Sequence, residues 1–210
     1  MSGKSLSRIL NNAFQIAGNV TGFKYKQYRP DTYVTPLQTR NYIGDLVVGA
    51  SPDESFAKNP DELQKYNLYA DSSKLQLGDI LYSDDNARTF VVVDMMELRV
   101  SQGVLCPDRF DVLRPVITSG DKKTGFEQVA TQVPGAVKLM GAKSSSGSVQ
   151  GLQSTLTASS HELEMWTWVP ENLVQLNDVI QIGANRYLCT FAQTIARGTH
   201  IKMRSTKVGK

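Results

Sequence analysis

The sequence predicts a mainly β protein: a β-barrel or β-sandwich built from two similar strand-rich blocks, with an N-terminal amphipathic helix and extended arms. The first observation is that LQLGDILYSDDNARTFVVV, residues 75–93, and VQLNDVIQIGANRYLCTF, residues 174–191, share one order of apolar runs and turn residues. Such β-branched and aromatic runs, bounded by Gly, Asn and Asp, are typical of hairpins. The second observation is one stretch of helical spacing near the start of the chain. A chain of 210 residues that is 40% hydrophobic and 20% charged has the composition of a globular protein.

The helix is predicted over SLSRILNNAFQIAGN, residues 5–19, where apolar residues recur at spacings of three and four. This spacing places one apolar stripe along a helix. Ser5 or Ser7 can cap its start, and Gly18 with Asn19 can end it in a left-handed turn. The stripe can pack on the chain's own core or on a neighbouring subunit. Its residues are Leu6, Ile9, Leu10, Ala13, Phe14 and Ala17.

An extended arm is predicted after the helix. The segment YKQYRPDTYVTPL, residues 25–37, contains Pro30 and Pro36. Proline disfavours helix and biases the residue before it towards extended geometry. Helix and arm together make the predicted unit 1–41.

The rest of the chain divides into two β blocks in this prediction. The first block is residues 42–142 and contains a polar insertion at 50–74. The segment KSSSGSVQGLQSTLTASS, residues 143–160, is nearly free of charge and rich in Ser, Gly and Thr, which is typical of a flexible linker or loop. The second β block follows at 161–210.

The two blocks are either copies of one unit or unrelated hairpins that share turn residues for local physical reasons. If they are copies, the two glycines of the alignment lie in equivalent turns that need a positive backbone angle. The proposed equivalent pairs are Asp79 with Asp178, Arg88 with Arg186, Phe90 with Tyr187, and Gly103 with Gly198.

No pattern of catalytic residues is present, so we expect no enzyme activity, no metal site and no cofactor. The only histidines are His161 and His200, and the only cysteines, Cys106 and Cys189, lie in apolar runs, where a buried thiol is favoured over a disulfide. Nucleotide-binding glycine motifs and a nucleophile elbow are missing from the sequence.

Partners in a membrane are not expected, because no apolar run approaches the roughly 18 to 20 residues that span a bilayer. The start MSGKSLSRILNN lacks the zones of a secretory signal, which predicts a soluble protein made in the cytoplasm. The net charge of +3 is small for a nucleic-acid-binding protein. Basic residues gather at the end of the chain, at Lys202, Arg204, Lys207 and Lys210, as a solvated tail or a phosphate contact.

The repeated blocks resemble structural proteins of tailed bacteriophages. The residues that carry the resemblance are LGDIL, a short turn, RTFVVVDMMEL and LCPDRFDVLRP, preceded by a helix and QYRP. The second block, WTWVPENLVQLNDVIQIGANRYLCTFAQTIARGTHIKM, is similar to the strand-rich repeat of head-completion and head-tail joining proteins. The resemblance covers most of the chain outside 50–70 and 143–160.

The resemblance implies a non-enzymatic structural subunit of a virion, assembled in the host cytoplasm. Such a subunit forms a homo-oligomeric ring at the neck, collar or tail, contacts other virion proteins and makes weak contact with packaged DNA. We expect the subunit interface on apolar side chains of the helix and arm, which need a partner surface. These candidates are Leu6, Ile9, Phe14, Tyr25, Tyr28, Tyr33 and Leu37.

An alternative from another class is a ligand-binding β-barrel that recognises sugar or single-stranded nucleic acid through exposed aromatic residues. Its candidates are Trp166, Trp168 and Tyr187. Core packing is the competing explanation for the two tryptophans.

Overall fold

A computed structural model describes residues 3–53, 65–84, 88–95, 99–118, 122–139, 162–167, 169, 173–195 and 198–205. Within them, one helix, α1 (Gly3–Thr21), precedes twelve strands, and short 3-10 turns occupy Thr39–Asn41 and Ser72–Lys74. The strands are β1 (Phe23–Tyr28), β2 (Tyr42–Pro52), β3 (Lys65–Tyr69), β4 (Ile80–Tyr82), β5 (Thr89–Asp94), β6 (Ser101–Leu105), β7 (Asp108–Thr118), β8 (Lys122–Leu139), β9 (Glu162–Thr167), β10 (Val179–Ile182), β11 (Asn185–Ile195) and β12 (Gly198–Ser205).

The strands form two closed antiparallel barrels of six strands each. The order is β1-β2-β3-β6-β5-β4 in the first barrel and β7-β8-β9-β12-β11-β10 in the second. Pairing of β1 with β4 closes the first barrel, and pairing of β7 with β10 closes the second. The predicted fold class, a β-barrel built from two similar blocks with an N-terminal helix, is confirmed.

The two barrels are copies of one unit, because strand order and register agree. Leu81 lies opposite Phe90 in the first barrel, and Ile180 lies opposite Tyr187 in the second. The fifth strands, β5 and β11, also carry a register irregularity at the same place, directly after Val92 and directly after Cys189, each two residues beyond the matched ring. Phe90 and Tyr187 are therefore equivalent.

Two of the predicted equivalences are wrong. Thr89 lies opposite Tyr82 and Arg186 lies opposite Gln181, so Arg186 corresponds to Thr89 and not to Arg88. The hairpin turn after β10 is two residues shorter than the turn after β4. Pairing Arg88 with Arg186 puts one of these two missing residues after the arginine, whereas both are missing before it.

Gly103 and Gly198 are also not equivalent. Gly103 lies inside β6 opposite Val92, whereas Gly198 is the first residue of β12. Gly103 does not have a positive φ; a Cβ at this position would lie 2.7 Å from Cδ1 of Leu68. It is a glycine because the barrel interior has no space for a side chain there.

The strand pairing divides the chain differently from the predicted blocks. Strand β1 belongs to the predicted arm but pairs with β2 and β4, so the first barrel begins at Phe23. Strands β7 and β8 belong to the predicted first block but complete the second barrel, which begins at Asp108. Extended residues need ladder partners, and these partners are distant in sequence. The predicted linker 143–160 lies outside the described residues.

The first barrel is filled by alternate side chains of its strands. Tyr25 packs edge-on against Phe90 at 5.9 Å between ring centroids, and Tyr66 packs against the same ring at 5.2 Å. The buried members of this core are Tyr25, Leu46, Val48, Leu68, Ala70, Leu75, Leu81, Phe90 and Val92.

The second barrel shares its apolar core with the outer face of the first. Side chains of β4, β5 and β6 that point away from the first interior are buried in one cluster with the interior of the second barrel. The backbone N–H of Thr131 also donates to the carbonyl of Val34 at 2.8 Å. The two barrels are therefore packed together. The outward-facing members are Ile80, Val91, Val93, Val104 and Cys106.

Helix α1 packs on the outside of the first barrel, against β2 and β3. Phe14 contacts Tyr69, with ring centroids 6.4 Å apart. Gly18 permits this close approach, since a Cβ there would lie 2.3 Å from the carbonyl oxygen of Tyr69.

The predicted helix is confirmed, but its predicted ends are wrong. It runs from Gly3 to Thr21, so Ser5 and Ser7 lie inside it, and Gly18 and Asn19 continue it without a positive φ. One side of the helix packs on the chain's own barrel.

Candidate interaction surfaces

A buried ion pair occupies the same place in each barrel. Arg29 donates from Nε to Oδ1 of Asp79 at 2.7 Å and from Nη2 to Oδ2 at 2.8 Å. Arg114 makes the same two bonds to Asp178, at 3.0 and 2.9 Å. Each guanidinium also donates to the carbonyl five residues before the aspartate, of Lys74 or Leu173. These bidentate, charge-assisted bonds fix the first strand of each barrel to the loop before the fourth strand, from directly after β1 in the first barrel and from within β7 in the second.

Each aspartate also holds a tight turn. The carboxylate of Asp79 accepts the N–H of Gln76 at 2.7 Å, and the N–H of Asp79 donates to the carbonyl of Gln76 at 3.1 Å. Asp178 and Gln175 repeat both bonds, at 2.8 and 3.1 Å. The residue before the aspartate, Gly78 or Asn177, has a φ of 83° or 71°. Glycine and asparagine are the residues that adopt this geometry most easily.

A leucine is exposed at the second position of each turn. Leu77 is 55% exposed and Leu176 is 62% exposed. The hydrogen bonds that form the turn come from the backbone and the aspartate, so the turn does not require leucine at this position. Both turns present the same two exposed residues, Gln76 with Leu77 in the first barrel and Gln175 with Leu176 in the second. The duplicated turns are therefore candidate contact surfaces.

Few of the predicted interface residues remain available for a partner. Ile9 is exposed on α1, but Phe14 packs on Tyr69. Tyr28 is half-buried and contacts Tyr42, with ring centroids 5.7 Å apart.

Two predicted interface residues belong to the core, which corrects the prediction for them. Tyr25 is buried inside the first barrel, because alternate residues of β1 face inwards. Tyr33 is buried as well, and its hydroxyl donates to the carbonyl of Gly78 at 2.7 Å. Leu37 packs at the edge of the shared cluster, and the side chain of Leu6 lies outside the described part of the structure.

Other exposed apolar residues were missed by the sequence reasoning. Ile16 and Val20 lie on the solvent side of α1, and Phe23 is the first residue of β1, two residues after the helix ends. On β2, Ile43 and Val47 are also exposed. A signal existed for the helix, because positions 9, 16 and 20 fall on one face, but the prediction merged the two sides into one stripe.

The cysteines do not form a reactive site. Cys106 and Cys189 are both free and buried, as predicted. Burial raises the pKa of Cys106 to about 12, with a further contribution from the charge of Asp108. Burial also raises the pKa of Cys189 to about 11. Both thiols are therefore protonated at neutral pH, and the thiolate is the nucleophilic form.

An aromatic and cationic surface lies on the second barrel. The exposed ring of Phe191 meets His200 edge-on at 5.8 Å, and Nζ of Lys202 lies 5.8 Å from its centroid. Lys202 and Arg204 lie in β12 and not in a tail. Tyr187 is half-buried against the core of the second barrel. Trp166 lies opposite His200 in register, but its side chain and all of Trp168 are outside the described residues.

No protein-family model, curated protein or solved structure matches this chain. Over the residues with described positions, no helix combines the length and apolarity of a membrane span. The same residues contain no group of three or more His, Cys, Asp or Glu side chains arranged for a metal ion.

Proposed function

We propose that this protein is a non-enzymatic structural subunit of a tailed-phage virion, which assembles into a ring at the neck, collar or tail and contacts neighbouring virion proteins. The observation that carries the proposal is the duplicated turn, which presents an exposed leucine on each of two packed barrels. The resemblance of the first block to structural proteins of tailed phages, and of the second block to head-completion and head-tail joining proteins, supports the same function.

The first step is rigidity. Each barrel has a closed ring of strand pairs and a filled interior, and a bidentate ion pair fixes the turn that carries the leucine. A rigid contact loses little conformational entropy when a partner binds. A subunit that holds neighbouring proteins at fixed positions benefits from this low entropic cost.

The second step is the number of contacts. Because the barrels are copies, Leu77 and Leu176 offer the same local shape twice. A chain with two equivalent contacts can bind two equivalent sites on a ring of partners, and linked contacts raise the overall affinity. When a partner covers these partly exposed apolar side chains, their burial stabilises the complex.

The test uses phage particles from a host that encodes this chain. Deletion of its gene, with complementation by the wild type, by Leu77→Gln, by Leu176→Gln or by the double variant, is followed by negative-stain microscopy. We expect separate heads and tails after deletion, partial joining with each single variant and the lowest joining with the double variant. Val116→Gln, at an exposed position of β7, is the control and should restore joining fully.

The proposal is wrong if mass spectrometry finds the chain absent from purified particles, or if particles assemble normally without it. Equal joining by the wild type and the double variant would contradict the contact function of the two leucines.

The surface around Phe191 favours a second candidate function, binding of single-stranded nucleic acid. Exposed aromatic rings stack on bases, and adjacent cations attract the phosphate backbone. Phe191 with Lys202 offers one such combination.

Fluorescence anisotropy with a labelled oligothymidine tests this second function. Binding that weakens with added salt and with Phe191→Ala and Lys202→Gln supports it. Lys24→Gln, which removes an exposed cation from the first barrel, should leave such binding unchanged. The absence of binding at low salt rejects it.

A further inference from the structure

Helix α1 has two different sides. The side that packs on the first barrel is half-buried or buried and is used by the chain itself. Its residues are Leu10, Asn11, Phe14, Ala17 and Gly18. The opposite side carries Ile9, Ala13, Ile16 and Val20, which we name the outer stripe. Ile9 is 53% exposed, Ile16 64% and Val20 78%.

The spacing of the outer stripe is four, three and four residues, which is the spacing of a helix that packs against another helix. A helix face in water usually carries charged side chains. Residues 9–21 instead contain no Asp, Glu, Lys or Arg. The neighbours of the stripe, Asn12, Gln15 and Asn19, are neutral amides.

The absence of charge makes the outer stripe suitable for an identical stripe. Two copies of this surface can meet without placing any charged side chain in the contact, so no charge has to be desolvated. Phe23, the first residue of β1, is also exposed and lies two residues after the end of the helix, so it adds to the exposed apolar side chains of this region. Clusters of exposed apolar side chains mark interaction sites.

We propose that the outer stripe binds the outer stripe of a second copy of this chain, with the two helices antiparallel about a two-fold axis. The antiparallel arrangement follows from the charges. Lys4 and Arg8 lie in the first turns of α1, where the helix dipole is also positive. Parallel helices would bring these charges together, whereas antiparallel helices place them at opposite ends.

In this arrangement Ile9 of one copy lies beside Val20 of the other, and Ala13 lies beside Ile16. The contact is isologous, because both copies use the same surface. This inference concerns the free chain and does not depend on the virion function. If the free chain is a monomer, this inference is rejected and the proposed function is unaffected. If virions assemble normally without the chain, the proposed function is rejected and this inference is unaffected.

The first test is the mass of the free protein in solution by sedimentation velocity over a wide range of concentrations. The wild type should be a dimer that dissociates on dilution. Ile16→Lys places a charge at the centre of the stripe and should weaken the dimer at least tenfold. Val116→Lys is the matched control, because Val116 is 41% exposed on the second barrel and should leave the dimer intact.

Three outcomes would overturn the proposal: a wild type that stays monomeric, an Ile16→Lys variant that dimerises like the wild type, or equal loss in both variants. Circular dichroism and thermal unfolding check that Ile16→Lys remains folded. We expect an unchanged melting temperature, since this side chain contributes little to the chain's own core.

The second test determines orientation. The Ile9→Cys and Val20→Cys variants are prepared as separate proteins, and one of them carries a tag that changes its gel mobility. Each variant is oxidised alone, and the two are also oxidised as a mixture. The two positions are eleven residues apart, or about 16 Å along a helix. Antiparallel pairing gives a disulfide only in the mixture, whereas disulfides within each protein alone would show parallel pairing and reject the proposal. The native cysteines are buried and should not contribute.

Discussion

At the scale of single residues, the aspartates Asp79 and Asp178 are buried charges whose desolvation must be offset. Each is offset by a bidentate arginine and a backbone N–H, and Asp79 also accepts from Nε2 of Gln27 at 2.7 Å. A buried charge that loses its partner is strongly destabilising, although the intact pair contributes little net free energy. Their main effect is therefore to define the geometry of the turns.

Replacement of either arginine by alanine should destabilise its barrel. Arg29→Ala leaves Asp79 buried without its cation, and Arg114→Ala does the same to Asp178. We expect a loss of about 3 kcal/mol for each, at the lower end of the range for buried pairs, because a third of each arginine side chain is exposed. Urea unfolding measures the loss. Arg29→Lys and Arg114→Lys keep the charge and should recover part of it, and losses below about 1 kcal/mol would show that water replaces the guanidinium.

The equivalent aromatic residues should differ in their effects. Phe90 is fully buried in the first barrel, so Phe90→Ala should lower the free energy of unfolding by about 3 to 5 kcal/mol. Tyr187 is only half-buried at the same position of the second barrel, so Tyr187→Ala should be milder. Chemical denaturation compares the two. Equal losses would mean that the second interior is packed more tightly around Tyr187 than its exposure indicates.

Stability should fall at alkaline pH. The folded protein keeps the thiol protons of Cys106 and Cys189 up to pKa values of about 12 and about 11, whereas an unfolded thiol loses its proton near pH 9. Their contribution is complete below pH 9 and is lost as the pH rises towards the folded values. Each thiol lowers the free energy of unfolding by up to about 1.4 kcal/mol per pH unit in this window.

Urea unfolding at several pH values between about 8 and 11 measures this slope. Cys106→Ala should reduce the slope, even though it also lowers stability by removing buried volume. The raised pKa of Tyr33, also caused mainly by burial, adds to the slope at the upper end of the range. A flat profile in the wild type would contradict the burial of the thiols.

At the scale of elements, β6 requires a glycine at position 103 because of packing and not because of turn geometry, since Gly103 lies inside the strand. A Cβ at Gly103 would meet Cδ1 of Leu68 at 2.7 Å and the carbonyl oxygen of Val91 at 3.2 Å. Gly103→Ala should therefore cost about 1 to 3 kcal/mol by overpacking. Gly125 in β8 is the control, because a Cβ there would meet nothing within 4 Å, and Gly125→Ala should be neutral or stabilising. Thermal unfolding of the two variants is the comparison, and equal effects would reject overpacking as the cause.

Local patterns in the sequence predicted α1, the hairpins and the equivalence of Asp79 with Asp178. They could not predict closure of the barrels, because β1 pairs with β4 through Tyr28 and Ile80, which are far apart in sequence. For the same reason the ion pairs were missed, although an Arg-Pro pair precedes each hairpin block. The helical spacing of Ile9, Ile16 and Val20 indicated a second apolar side of α1, but which side packs on the barrel depends on contacts with β2 and β3, which are distant in sequence.

At the scale of the whole molecule, the shared apolar cluster should make the two barrels unfold together. Trp166 belongs to β9 of the second barrel and Trp168 follows that strand in the sequence, so we expect tryptophan fluorescence to report on that barrel, whereas far-ultraviolet circular dichroism reports on both. We expect coincident urea transitions by the two probes. Val104→Asn, on the face between the barrels, should lower stability, and separated transitions in the wild type would show that the barrels are independent.

The short connection between the barrels has a consequence during synthesis. The last strand of the first barrel ends at Leu105, and the next strand begins at Asp108. The first barrel can thus close on the ribosome while Ile80, Val91 and Val104 still lack the second half of their cluster. Translation of the remaining residues, roughly 100, takes about 5 to 20 s at typical rates. For that interval the nascent chain carries an uncovered apolar face, and exposed apolar surface of this kind makes a folding intermediate prone to aggregation.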